Sequence, residues 1–288
     1  MLPISRILFP VDFSQSCAEM IPYVKVIAAK YEAEITLLHV VDPLIGIPDI
    51  GIAPLALLPL PRWLISQEAE KLESFGKEEL DGFPVRRLVY EGDPEMQIVA
   101  TAQGEKSQLV VMPTHGYGRF RRFLIGSMTS KVLHDLDCPV LTGAHHRRLN
   151  GEIKIKNVVC AIDLGPRSCD VLTWATRVCG DFHAHLSVVH VIPGLPPSLK
   201  IVFSPDVRDE LEDSIRGETE RLRTTAGAQD VTVCVEEGHV ARSICSYVKS
   251  VSADLLIIGR ADRSKDGGRL RENAYAIIRE SVCPVLSV

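Results

Sequence analysis

Short apolar runs alternate along the chain with longer segments of helical periodicity. In the first half, runs rich in Val, Ile and Leu predict five strands, at 6–12, 34–41, 85–91, 108–113 and 139–142. Apolar residues at helical spacing predict four helices, at 15–31, 62–79, 93–105 and 126–136. Apolar runs without polar alternation are typical of strands that are buried on both faces. We therefore expect an α/β fold with a doubly wound, five-stranded parallel sheet.

The same order of elements occurs twice. The segment R-I-L-F-P-V-D-F-S at Arg6–Ser14 is matched by N-V-V-C-A-I-D-L-G at Asn157–Gly165. The segment C-P-V-L closes both halves, beginning at Cys138 and at Cys283. A self-similar order at this spacing predicts two copies of the same sheet in tandem.

The repeat predicts two domains in the 288 residues, at 1–146 and 152–288, with a polar linker near His145–Gly151. Each C-P-V-L segment is predicted to form the last strand of its sheet, at an edge with unpaired backbone groups. Such an edge invites a further strand, so we expect the two halves to pair through these strands with approximate twofold symmetry.

Charge and cysteine usage restrict the class of protein. A net charge of -5 argues against a protein that binds nucleic acid through bulk positive charge. The first residues lack a basic region followed by a long apolar run, and the eight cysteines include no C-x-x-C pair. We expect a cytoplasmic protein with reduced thiols, and buried ones at Cys160, Cys234 and Cys283.

The stretch from Val110 to Val140 carries the strongest chemical signal. An apolar run ends at Pro113, a loop rich in Gly and Arg follows, and a helix begins at Gly126-Ser127. A helix N-terminus behind a glycine-rich loop offers unpaired amides to a phosphate group. An ordinary strand–turn–helix is the alternative. The helix has apolar residues on one predicted inner face: Met128, Val132 and Leu136.

This spacing differs from the Walker loop and from the dinucleotide turn G-x-G-x-x-G. It resembles the universal stress protein family, whose ATP-binding members carry G-x2-G-x9-G-[ST] after the fourth strand. Gly116 and Gly126-Ser127 match that pattern, whereas Pro113 stands at the position of the first glycine. The resemblance covers both halves. It implies strand order 3-2-1-4-5 in each and a ligand beyond the carboxyl ends of the first and fourth strands.

The resemblance implies ATP in the first domain, and any Mg²⁺ would arrive through the phosphates. The candidate binding residues are Pro10, Val11, Asp12, Val40, Met112, Pro113, Gly116, Arg119, Gly126, Ser127, Met128 and Thr129. Asp12 would hold the nucleoside, and the backbone near Val40 would meet the adenine; alternatively, Asp12 caps the next helix. Arg119 would reach phosphate or else lie in solvent. His39 is interpreted as a hydrogen-bonded structural histidine.

The second half keeps the order of strands and helices but loses the residues that match the phosphate-binding pattern. Asp163 corresponds to Asp12, and Gly259 stands where the first glycine belongs. Asp262 then replaces the second glycine, and Arg271-Glu272 replaces Gly126-Ser127. A glutamate at the helix start satisfies the helix dipole and repels a triphosphate. We therefore expect a degenerate second site and one tightly bound nucleotide per chain.

The segment Leu44–Leu60 is apolar but is interrupted by prolines too often for a transmembrane helix. We expect it to cover the nucleotide or to form a homodimer interface, with disorder as the alternative. No catalytic residues and no convincing metal ligands are recognised. The expected function is therefore a nucleotide-dependent module in a stress response, acting on an unidentified protein partner, rather than a fast enzyme.

Two other functions stay open at this point, and a third lacks its sequence motif. A nucleotide-free interaction module is consistent with Pro113 in the loop. A slow ATP hydrolase is consistent with the same pocket. An adenine-nucleotide hydrolase or nucleotidyl transferase of similar architecture would need a PP-loop or an H-I-G-H element, and the sequence contains neither.

Overall fold

The computed structural model describes residues 4–43, 60–114, 127–143, 153–193, 231–260 and 272–288, with a few single positions between 213 and 227. Contacts between Cα atoms divide the chain into two compact units, which change over between Gly143 and Lys154. The domain limits at 146 and 152 fall on residues outside the described ranges and stay a prediction.

The first unit is built on a parallel sheet. Its strands are β1 (Arg6–Pro10), β2 (Glu34–Val41), β3 (Val85–Glu91), β4 (Leu109–Met112) and β5 (Val140–Thr142). β1 lies in the middle, paired with β2 on one side and β4 on the other, while β3 and β5 lie outside them. The order 3-2-1-4-5 and the doubly wound α/β class are confirmed. The central strands are apolar and buried because helices cover the sheet on both faces.

The helices of the first unit are α1 (Gln15–Ala18), α2 (Ile21–Tyr31), α3 (Arg62–Ser74), α4 (Pro94–Gly104) and α5 (Ser127–Asp135). The prediction of one continuous helix over 15–31 was wrong. Pro22 has no N–H to donate to the carbonyl of Ala18. The first helix therefore ends at Ala18, and a second helix begins at Ile21.

The third helix ends earlier than predicted. After Ser74 the backbone of Phe75 is extended, with ψ 121°, and Gly76 follows with φ +61°. The ring of Phe75 packs beside Phe9 of β1, with ring centroids 6.2 Å apart. This core contact turns the chain inward, which the helical periodicity up to residue 79 did not indicate.

The second unit repeats the architecture. Its strands are β6 (Asn157–Ile162), β7 (His185–Pro193), β8 (Thr232–Gly238), β9 (Leu255–Ile258) and β10 (Val285–Ser287). Its described helices are α6 (Ser168–Phe182), α7 (Val240–Ser250) and α8 (Glu272–Glu280). β6 pairs with β7 and β9, and β8 and β10 lie outside them, so the order is again 3-2-1-4-5.

A side chain before the fourth strand of each unit secures the start of the first strand. In the first unit, Gln108 Oε1 accepts hydrogen bonds from the backbone N–H groups of Ser5, at 3.2 Å, and Arg6, at 2.8 Å. In the second, Asp254 Oδ2 accepts from Lys156, at 3.0 Å, and Asn157, at 3.1 Å. Both side chains therefore satisfy backbone N–H groups at the amino end of the first strand of their sheet. No helix among the described residues combines the length and the hydropathy needed to cross a bilayer.

Candidate functional site

Asp12 lies just after the carboxyl end of β1, between the ends of the two strands that pair with it, β2 and β4. Its Oδ1 accepts hydrogen bonds from the backbone N–H of Ser14, at 2.9 Å, and from the Ser14 hydroxyl, at 2.6 Å. Between them, Phe13 takes a left-handed conformation, with φ 60°. Ser14 in turn caps α1 by accepting from the N–H of Cys17, at 3.1 Å. Asp12 therefore stabilises the turn through Oδ1, and neither of these two bonds involves Oδ2.

His39 connects β2 to the same turn. Its Nδ1 lies 2.7 Å from the carbonyl oxygen of Val11, which assigns the Nδ1 proton to that bond. The imidazole ring stacks on Phe13, with centroids 4.5 Å apart, and its Nε2 lies 3.6 Å from Glu68 Oε2 of α3. The histidine is hydrogen-bonded, as interpreted from the sequence. It holds the residue before Asp12 and so orients the turn.

The other side of the site is formed by the end of β4 and the start of α5. Met112 is buried, and Pro113 follows it at the carboxyl end of the strand. The hydroxyl of Thr129 donates to the carbonyl of Pro113, at 3.1 Å. This bond ties the first turn of α5, which begins at Ser127, to the edge of the sheet beside Asp12.

One face of α5 is buried, and it agrees with the predicted face except at Met128. Thr129, Val132 and Leu133 are buried in α5, and Leu136 is buried just after it. Met128, predicted to face inward, is 39% exposed. Val132 and Leu136 are thus buried as predicted, and at the start of the helix Thr129, which bonds to Pro113, is buried in place of Met128.

The described residues bring together one part of the candidate set. Pro10, Val11 and Asp12 follow one another at the end of β1, and Val40 pairs with Tyr90 near the end of β2. Since parallel strands end on the same edge, these residues and Met112–Pro113 share the carboxyl edge of the sheet. Three candidates, Gly116, Arg119 and Gly126, lie outside the described residues, as do Leu44–Pro59 and Asp262.

The second unit forms the same turn with different neighbours. Asp163 Oδ1 accepts from the backbone N–H of Gly165, at 2.8 Å, and from the hydroxyl of Ser168, at 3.1 Å. Leu164 takes the left-handed conformation, with φ 58°. His190 Nδ1 lies 2.9 Å from the carbonyl oxygen of Ile162, as His39 does from that of Val11. The aspartate turn and the histidine link are thus properties of the repeat.

The family model of the universal stress protein family matches residues 3–142 and again residues 154–288, which together cover nearly the whole chain. The chain belongs to the universal stress protein family. The double match shows a tandem arrangement of two family units, in agreement with the repeated aspartate turn and strand order.

Relatives and solved structures agree with this membership. Universal stress protein MJ0531 of Methanocaldococcus jannaschii is 32% identical over 139 residues, 47% of this chain and 79% of its own length. Universal stress protein MJ0577 of the same organism is 29% identical over 149 residues, 47% of this chain and 92% of its own length. A universal stress protein from Archaeoglobus fulgidus has the same fold, with a TM-score of 0.68 at 21% identity. That likeness covers 98% of this chain and 95% of the other.

Some residues of this universal stress protein site were not predicted from the sequence. Glu68, which faces His39, lies on a helix 29 positions further along the chain. Phe75, whose ring lies 5.9 Å from that of Phe13, was assigned to a helix interior. Neither residue belongs to a motif, and only the packing of α3 over the end of β2 brings them to the turn.

No disulfide bond joins the cysteines, and burial sets the chemistry of their thiols. Burial raises the pKa of the Cys17 and Cys160 thiols well above their usual range. Cys160 and Cys283 are buried as predicted, but Cys234 is half-buried because it lies on β8 at the edge of the sheet. Burial, reinforced by the carboxylate of Glu236, also raises the pKa of the Cys234 thiol. Within the described ranges, no three His, Cys, Asp or Glu side chains form a group that could hold a metal ion.

Proposed function

We propose that the first unit binds an adenine nucleotide, ATP by preference, at the carboxyl edge of its sheet. The bound nucleotide would change the shape or the association of the chain. The protein would thereby act as a nucleotide-dependent regulatory module in a stress response rather than as a fast enzyme.

The observation that carries this proposal is that the Asp12 carboxylate and the start of α5 lie at the same carboxyl edge, at the end of β1. β1 pairs with β2 on one side and with β4 on the other, and this is where open parallel sheets bind ligands. The Asp12 carboxylate lies there, with Oδ1 committed to the turn. The start of α5 is tied to the same edge through Thr129 and Pro113. A carboxylate acceptor beside a helix N-terminus suits a molecule with hydroxyl groups at one end and phosphates at the other.

The residues divide into two roles. Oδ2 of Asp12 would accept a hydrogen bond from a ribose hydroxyl or an exocyclic amine, while backbone groups near Val40 would meet the base. Gly116, Gly126 and Ser127, which match the family pattern, would hold the phosphates, and Arg119 in the same loop would reach them. Any Mg²⁺ would be held by the phosphates themselves.

Release of bound nucleotide tests the proposal directly. Purified protein would be denatured by heat, and the supernatant separated by ion-exchange chromatography and quantified against chain concentration. We expect one adenine nucleotide per chain, or, for protein stripped of ligand, one ATP site per chain by calorimetry. A stripped protein without detectable ATP binding at millimolar concentration would support a nucleotide-free interaction module instead. Sustained turnover of ATP at more than about one per second would identify a fast enzyme and contradict the regulatory role.

We also propose that the protein is cytoplasmic and forms a homodimer through Leu44–Leu60, of which only Leu60 is among the described residues. An apolar segment of this length is stabilised by burial against a partner surface. Light scattering at increasing concentration, with and without ATP, tests the association. A mass equal to one chain at every concentration would remove the homodimer from the proposal.

A further inference from the structure

The second unit contains a cavity of about 350 Å³ at the carboxyl end of β6 and β9. Its floor is formed by Ile162 and Ile258, the last residues of these strands. Val171 of α6 lines one wall, and Ile244 of α7 and Ile277 of α8 line the opposite wall. The volume lies within the range of small-molecule pockets, roughly 300–1,000 Å³. Branched aliphatic walls on both sides favour a ligand with an apolar body.

The glycine at the edge of this cavity is required by packing. A Cβ atom at Gly259 would lie 2.8 Å from Cγ2 of Val171, closer than side chains tolerate. The residue that occupies the first glycine position of the phosphate pattern is therefore explained by its contact with α6. Gly259 is therefore no evidence of a phosphate-binding site.

The polar groups at the mouth are few, and their charges are unequal. Arg167 and Arg260 contribute two positive charges to the lining, and Asp163 contributes one negative charge. Asp163 already accepts hydrogen bonds from Gly165 and Ser168 on Oδ1. The described lining is therefore net positive, which favours an anionic group on the ligand.

Arg167 is placed to receive that group. It is half-buried at the N-cap position of α6, and its Nη1 donates to the carbonyl of Arg260, at 3.3 Å. This bond fixes the guanidinium at the edge of the cavity and uses one of its five N–H donors. A carboxylate can take two parallel N–H bonds from an arginine, which adds both affinity and orientation.

A nucleoside triphosphate fits these features poorly. Its phosphates would need several donors around a helix N-terminus, whereas the sequence at the start of α8 begins with an acidic residue, Glu272. We propose that the cavity of the second unit binds a small monocarboxylate with an aliphatic or aromatic body, anchored by Arg167. This site is independent of nucleotide binding in the first unit.

Calorimetric titration of the full-length chain with octanoate tests the site, with 1-octanol as the neutral probe of equal chain length. We expect saturable binding of one octanoate per chain, and at least tenfold weaker binding of octanol because it lacks the charge. Arg167→Gln should weaken octanoate about tenfold or more and leave octanol unchanged. Arg167→Lys keeps the positive charge but loses the two parallel N–H donors of the guanidinium, so it should give an intermediate affinity.

Arg177→Gln is the matched control, since Arg177 lies on the same helix but pairs with Asp181 at 3.7 Å, away from the cavity. It should leave both affinities unchanged. Equal octanoate affinity in the parent chain and in Arg167→Gln would overturn the proposal, and so would binding that never saturates. Displacement of octanoate by ATP in a chain carrying Gly126→Glu would show that the second cavity takes nucleotides and would likewise overturn it.

Discussion

Asp12 and Asp163 occupy the same place after the first strand of each unit, and both accept two hydrogen bonds on Oδ1 across a left-handed residue. In the first unit the second acceptor bond comes from Ser14, which then caps a separate short helix. In the second it comes from Ser168, the first residue of a continuous helix of 15 residues. The backbone frame is thus common to both units, and the side chains placed around it differ.

The surroundings of the two turns differ in kind. Near Asp12, the ring of Phe13 packs against those of Phe75 and His39, and Glu68 faces the histidine. Around Asp163, aliphatic side chains from three helices line a cavity that has an arginine at its mouth. The same strand order and aspartate turn therefore carry two chemically different sets of side chains. Ligand specificity within the tandem chain must then be assigned to each unit separately.

The largest expected difference concerns the stability of the two cores. Phe9 is fully buried on β1 beside Phe75, and Cys160 is fully buried at the matching position of β6. Phe9→Ala removes a whole ring and should lower the free energy of unfolding of the first unit by about 3–5 kcal/mol. Cys160→Ala removes one sulfur atom and should cost the second unit much less. Urea denaturation followed by hydrogen exchange measures each unit; equal losses would contradict this account of the aromatic cluster.

Making the first unit resemble the second at its helix start should abolish nucleotide binding. Gly126→Glu places a carboxylate where the family pattern places phosphates, so we expect at least a hundredfold loss of ATP affinity, about 2.7 kcal/mol. The matched control is Gly104→Glu, at an exposed position at the end of α4 with no atom within 4 Å of an added Cβ. Unchanged ATP affinity in Gly126→Glu, measured by calorimetry, would refute the phosphate site.

The two aspartates should respond differently to loss of charge. Asn at position 12 keeps the Oδ1 acceptor that holds Ser14 but replaces Oδ2 with an amide donor. Asp12→Asn should therefore preserve stability and weaken ATP about tenfold, roughly 1.4 kcal/mol. Asp163→Asn should leave ATP affinity unchanged, because we propose the first unit as the nucleotide site. Equal effects of the two substitutions would show that both units bind ATP or that neither aspartate contacts it.

The smallest effect is a different sensitivity to alkaline pH. Burial raises the pKa of the Cys179 and Cys245 thiols to about 12, and that of Cys160 further, all in the second unit. In the first unit, the described residues include one thiol with such a shift, Cys17. An unfolded thiol loses its proton near pH 8.5, whereas these folded thiols keep theirs. The stability they contribute is fully present below that pH and falls as the pH rises toward 12.

We therefore expect the second unit to lose stability more steeply than the first between pH 9 and pH 11, by about 1 kcal/mol per pH unit for a buried thiol. Hydrogen exchange of β6 and β9 compared with β1 and β4 over this range measures the difference. Cys160→Ala should reduce the slope of the second unit only. A slope that this substitution leaves unchanged would rule out the thiol as the cause.

The sequence by itself determined the architecture of this protein. Continuous apolar runs require a covered parallel sheet, and the recurrence of V-D-F-S as I-D-L-G and of C-P-V-L requires two copies of it. Asp12, His39 and the end of β4 could also be placed at one edge, because the carboxyl ends of parallel strands always share an edge. These conclusions depend on periodicity and strand direction, which are local properties of the chain.

Only the tertiary structure decided which atoms of those residues remain available to a ligand. Asp12 commits Oδ1 to Ser14, His39 meets Glu68 across α3, and Arg167 reaches the carbonyl of Arg260, 93 positions away. Met128 turns outward because Thr129 takes the bond to Pro113. Each outcome depends on how a helix is rotated and docked on the sheet. Packing of side chains distant in sequence sets that rotation, and no local pattern encodes it.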